Sequence, residues 1–232
     1  MNKLKVGNRF YPVLYAPARA RTSSVRIRDG KVVLHLSRYM FGRKKDETIL
    51  KFLKWAQKKL ANMEQVEAIT PVYKDEGRVS THNKIYEIQV NYEDRKNAKA
   101  ELLNGYIIKL TLPQGNEKIQ FLSEKVIMEN QLPYLKETLD ELNQLYFKAR
   151  YASFRFKRAK SRFGSCTKKR NINIAFRTLF MPREVFRYVC LHELAHLKEF
   201  NHSSRFWDLI RDAVPEYKEH EKWLRKHGFA LG

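Results

Sequence analysis

Leu191-His192-Glu193-Leu194-Ala195-His196-Leu197 is the stretch on which the fold turns, and a third histidine, His202, follows six residues after His196. Read as a helix from Leu191 to Phe200, it sets His192 and His196 one turn apart on one face, where both can reach one metal ion. Glu193 stands beside them, able to hold and deprotonate a water at the metal. The bare HExxH pattern recurs by chance, and its bland reading is a surface helix with two solvated histidines. Here Val185, Val189, Leu191, Leu194 and Leu197 make the helix apolar, and a turn signal and another histidine follow. The pattern predicts one catalytic zinc ion per chain.

A catalytic zinc takes three protein ligands and leaves a fourth position open. His202 lies as far from His192 as the third histidine does in HExxHxxGxxH sites, where the glycine breaks the helix. Position 199 is Glu199, a solvated helix residue in this reading, so the turn is assigned to Asn201, which tolerates the left-handed conformation at a helix end. Ser203 and Ser204 then cap a new helix. The rival third ligand is a carboxylate of the last helix: Glu216, Glu219 or Glu221.

At 232 residues the chain holds one large or two small domains with a real core, and 43% hydrophobic residues exclude a disordered chain. Two cysteines far apart, Cys166 and Cys190, make no disulfide framework and point to a reducing compartment. Neither a signal peptide nor a membrane span is evident, so cytoplasm is the expected compartment. The net charge of +21 favours polyanions as partners. Ten basic and no acidic residues lie between Lys148 and Arg170, with Tyr151, Phe154, Phe156 and Phe163 interleaved. Arg155, Lys157, Arg158 and Lys160 are candidate polyanion-binding residues there, and the aromatics would suit stacking on unpaired bases. The bland reading is a strand with one apolar and one solvated basic side.

Strands are expected at Ser23–Arg28 and Lys31–Leu36 around an Asp29-Gly30 turn, then a helix from Asp46 to Asn62. Further strands are expected at Tyr86–Val90 and Tyr106–Leu112, separated by a charged segment. Helices come next, at Glu117–Gln131 and Pro133–Tyr146. Strands Phe154–Arg158 and Asn171–Phe176 flank a loop holding Gly164-Ser165-Cys166. The metal helix begins after Pro182, and Ser204–Ala213 and Pro215–Lys226 close the chain. No internal repeat is visible. The expected class is α+β, with a β-rich N-terminal part, 1–115, and a metal-binding catalytic domain, 116–232.

The run Ser161-Arg162-Phe163-Gly164-Ser165-Cys166-Thr167, then Asn171–Ile174, Tyr188–Leu197 and Asn201–Trp207, resembles the YgjP-like metallopeptidase family, related to WLM and SprT-type zinc peptidases. Phe163 replaces the usual tryptophan of its RWGSC run, and Ala175 stands where asparagine is common. The likeness covers most of the chain; residues 63–115 match least and read as an insertion. The resemblance implies a zincin-like fold with the HExxH helix as cleft floor, His192, His196 and His202 as ligands, and Glu193 as acid/base. Nucleoside triphosphate hydrolysis is also associated with the group.

Arg162 at the cleft edge could bind an oxyanion or phosphate, and Ser165 and Cys166 are candidate substrate-binding residues. Neither Ser165 nor Cys166 has a base beside it in the sequence, which favours packed side chains over nucleophiles. The expected function is a zinc peptidase acting on peptide or protein. The alternatives are a nucleoside triphosphate pyrophosphohydrolase on the same site, and a nucleic-acid-associated protein or DNA-linked repair protease.

Overall fold

Alternating apolar residues in the first forty positions build a sheet with one buried face. The computed structural model describes residues 2–18, 22–28, 30–67, 70–115 and 118–228. Asp29 of the expected hairpin turn, and Asn116 and Glu117 at the expected start of the second half, lie outside them. Strands β1 (Asn2–Val6), β2 (Arg9–Ala18), β3 (Ser24–Arg28) and β4 (Lys31–Ser37) assemble in the order β1-β2-β4-β3, with β2 and β4 parallel and the other pairs antiparallel. Gly30 takes φ +68°, and Arg28 pairs with Lys31 across the tight connection. Helix α1 (Gly42–Glu67) lays Ile49, Phe52, Leu53, Ala56 and Leu60 over Val13, Val32 and Leu34. That burial defines the first compact unit, residues 1–68.

The same arrangement recurs in the next stretch. Strands β5 (Arg78–Ser80), β6 (Ile85–Glu93), β7 (Lys99–Leu103) and β8 (Ile107–Pro113) assemble as β5-β6-β8-β7, again with only the β6–β8 pair parallel. A helix, α2 (Ile119–Asn130), again comes next and packs on the sheet. The topology is thus repeated where no repeat is legible in the residues. The expected charged segment between two strands contains β7, and its Leu102 sits opposite Ile108 of β8.

The second compact unit runs from 69 to 232. The boundary therefore differs from the division expected at 115/116. Its physical reason is α2, which packs on β7 and β8 and ties this sheet to the C-terminal elements. Tyr86 and Gln131, both fully buried, bond to each other at 2.8 Å and strengthen the tie.

Helix α3 (Leu132–Leu142) leads to the third sheet: β9 (Ser153–Lys157), β10 (Gly164–Cys166) and β11 (Asn171–Ala175), in the order β10-β11-β9. The expected Gly164-Ser165-Cys166 loop is thus an edge strand, held by antiparallel pairing with β11. Helix α4 (Arg183–Ala195) packs against β10 and β11, and α5 (Ser204–Ala213) and α6 (Tyr217–His227) pack against α4. Among the described residues the fold is mixed α+β with six α-helices, none long and apolar enough to cross a membrane.

Candidate metal centre

Helix α4 is apolar on nearly every side, as a helix enclosed by a sheet and three helices must be. It carries His192 and Glu193 in its last turn and ends at Ala195, short of the expected Phe200. The chain closes with bonds from Leu197 N–H to Leu194 O (2.9 Å) and Lys198 N–H to Ala195 O (2.9 Å). Asn201 is not in the left-handed region, contrary to expectation; these tightened bonds make the corner instead. Ser203 then caps α5, its hydroxyl accepting from Phe206 N–H at 3.4 Å.

The corner brings His202 back to the helix. One ring nitrogen each of His192, His196 and His202 lies within 4.8 Å of the others, and none of Glu216, Glu219 or Glu221 joins this group. His192 Nε2 and His202 Nε2 are 3.0 Å apart, close to the ~3.4 Å between ligand nitrogens on a tetrahedral zinc with bonds of ~2.05 Å. His196 Nδ1 donates to Glu199 O at 3.0 Å, which leaves its Nε2 lone pair for a metal. Phe206, fully buried, underlies all three rings at centroid distances of 4.7–4.9 Å, and Trp207 stacks on His202 at 5.7 Å. Burial, then the neighbouring His196 and His202, pushes the His192 pKa down to about 3, and burial lowers that of His196. Zinc binds neutral imidazole, so the lowered pKa values of His192 and His196 and the fixed tautomer of His196 suit the metal.

Glu193 is 5% exposed. Burial pushes its pKa up to about 8, opposed by the Arg162 charge and by a hydrogen bond from the Cys166 backbone N–H. Strand β10 passes so close that a Cβ on Gly164 would lie 2.5 Å from Glu193 Oε1. A cleft of about 430 Å³ opens beside the carboxylate, lined among others by Arg162, Phe163, Tyr188, Glu221 and Arg225.

The other expected site residues part company. Arg162 lines the cleft, whereas Ser165 Oγ accepts from Asn173 Nδ2 at 3.1 Å. Burial, then Glu193, pushes the Cys166 thiol up to about 11, which argues against a nucleophile at neutral pH. Arg155 donates to Asn173 Oδ1 at 2.9 Å, Arg158 pairs with Glu124 at 2.6 Å, and Lys157 and Lys160 are exposed. The interleaved aromatics do not form the expected stacking platform. Phe156 is in the core, Tyr151 donates to Asp140, and Phe163 lies under Arg177 at 4.8 Å.

Sequence reasoning missed Arg225, Tyr188 and Gly164. Arg225 comes from α6, and nothing in its neighbours marks it. The tight approach of Gly164 to the carboxylate was signalled only by a glycine ahead of a strand.

Residues 21–227 match the family model described as YgjP-like, metallopeptidase domain. The chain belongs to the YgjP-like family, a family of metallopeptidases, and at that level a metal ion and a peptide or protein substrate come with it. Among solved structures, the metallopeptidase zymogen of Pyrococcus abyssi abylysin is 26% identical, over 40% of this chain and 93% of that one, with a TM-score of 0.37. No curated protein matches the chain.

Proposed function

We propose that the protein is a zinc peptidase of zincin-like design, with His192, His196 and His202 holding one zinc ion and Glu193 transferring the proton. The observation that carries this reading is the convergence of the three histidines within 4.8 Å beside a buried carboxylate. Zinc, when bound, supplies a Lewis acid that polarises the scissile carbonyl and acidifies water. Glu193 accepts a proton from the attacking water at a carboxylate oxygen and returns it to the leaving amine nitrogen. The Cys166 N–H and the Arg162 charge favour the ionised, proton-accepting carboxylate and oppose the burial that raises its pKa. Glu199 O orients His196, and Phe206 excludes water from beneath the rings.

Arg162 and Arg225 on the cleft wall, with Glu221 beside them, offer cationic partners to an anionic group on the substrate. They support peptides with acidic side chains and, as a second reading, nucleoside triphosphates. The test is metal analysis and turnover on a mixed peptide library and a nucleotide panel, with wild type, chelated protein and His196→Ala. Stoichiometric zinc and chelator-sensitive peptide cleavage are expected in wild type alone. Full zinc in His196→Ala would remove the ligand assignment, and cleavage of nucleotides without peptides would select the second reading.

A further inference from the structure

We propose that the outer face of the first sheet binds single-stranded nucleic acid. Strand pairing places an apolar row, Phe10, Pro12 and Leu14, along β2 on the side away from α1. Phe10 is 61% exposed and Leu14 37%. Lys5 pairs with Phe10 and Lys3 with Pro12 on one flank, while Lys31 on β4 and Arg26 on β3 lie on the other. These four cationic side chains are exposed, and no described residue of this face is acidic. The Lys5 ammonium sits over the Phe10 ring at 5.9 Å.

The repeated sheet supplies an internal comparison. Its corresponding face balances its cations with carboxylates: Arg78 pairs with Glu87 at 2.8 Å and Lys99 with Glu101 at 2.8 Å. With one topology and two charge patterns, the fold does not require the excess on the first sheet.

Charge complementarity selects a polyanion, and the layout selects which one. A strand laid along β2 puts its bases against the Phe10 row and its phosphates against cations on both flanks. A lipid surface is a poorer occupant, because Phe10 and Leu14 are the only large apolar side chains of the row that are exposed and give it little area to insert. Stacking on Phe10 suits any base, so little sequence preference is expected.

The test is fluorescence anisotropy of the full chain with a labelled oligothymidylate of about 20 nucleotides, and with anionic phosphatidylserine vesicles as the competing surface. Four cations engaged at about 0.7 each give a log–log salt slope near −2.8, a loss of about fiftyfold between ~50 and ~200 mM salt. Replacing Lys3, Lys5, Arg26 and Lys31 together by Gln should flatten that slope. Lys157→Gln, Lys160→Gln, Lys168→Gln and Lys169→Gln together, removing the same charge elsewhere, should leave it unchanged. Phe10→Ala should weaken binding on the order of tenfold with the slope retained. The single substitution Lys5→Gln, with a slope reduced by about 0.7, covers the case of a quadruple variant that does not fold. No binding at ~50 mM salt, equal losses in the two quadruple variants, or vesicle binding that depends on Phe10 while oligonucleotide binding does not, would each overturn the proposal.

Discussion

Gly164→Ala is the most demanding test of the proposed carboxylate. The backbone at 164 is outside the left-handed region, so alanine meets no conformational barrier; the whole effect comes from space. The new methyl would stand 2.5 Å from Glu193 Oε1, 2.6 Å from Cγ and 2.7 Å from Cδ. Ordinary contact begins near 3.4 Å, so the side chain must retreat by about 0.9 Å. A surface carboxylate would swing aside at little cost, but Glu193 is 5% exposed and moves only by disturbing α4. Overpacking of this kind costs about 1–3 kcal/mol. A misplacement near 1 Å at a reacting group costs on the order of a hundredfold in rate. The expected result is a fall of several degrees in Tm and a loss of about a hundredfold in kcat, with zinc content unchanged because the three atoms nearest the methyl all belong to Glu193 and none to an imidazole. Steady-state kinetics on a cleaved peptide, elemental analysis and a thermal melt provide the three readouts. Wild-type kcat in a variant that binds zinc would refute the placement of Glu193 in catalysis.

Glu193→Gln should retain zinc and fold while losing on the order of a hundredfold to ten-thousandfold in turnover, because an amide cannot accept the proton; near-normal turnover would remove its role as base. In chelator competition, His202→Ala should weaken zinc strongly and Glu221→Ala should leave affinity nearly unchanged; the reverse order would move the third ligand to α6. His82 bears on stability. Its Nε2 donates to Met181 O at 2.8 Å, Nδ1 is buried without a hydrogen-bond partner, and burial lowers its pKa from 6.5. The unfolded chain then binds this proton first, so the neutral ring's contribution is complete above pH 6.5 and is lost as pH falls towards the depressed folded value. Urea titrations of wild type and His82→Gln across that window should show the steeper decline in wild type, and parallel curves would exclude His82 as the cause.

The histidine corner was legible because its residues are close in sequence: HExxH needs only one helical turn, and the serine cap at 203 needs only the next. The edge strand Gly164–Cys166 was not, since three residues show no period and their conformation is imposed by Ile172 and Ile174 across the ladder. Asn201 misled for a related reason. A left-handed asparagine is one way to end a helix, and the bonds to Leu194 O and Ala195 O are another that any side chain permits. In the basic run, period-two alternation was visible, yet it could not tell a stacking aromatic from Phe156, which faces the core. The repeated four-stranded topology left no trace because pairing order depends on which faces are apolar, not on which residues make them so.

His196 is oriented by a main-chain oxygen, that of Glu199, rather than by a carboxylate side chain. Every amino acid carries that oxygen, so the hold on the imidazole survives any replacement at 199 that preserves the turn. The contact is therefore mutationally silent: sequence variation at 199 can retune the Glu199–Arg205 ion pair, 3.5 Å across the corner, without loosening the imidazole. The bond holds the imidazole without the glycine that HExxHxxGxxH patterns carry at this position, and 199 becomes a position where surface charge can be rewritten beside the three histidines while the main-chain bond stays.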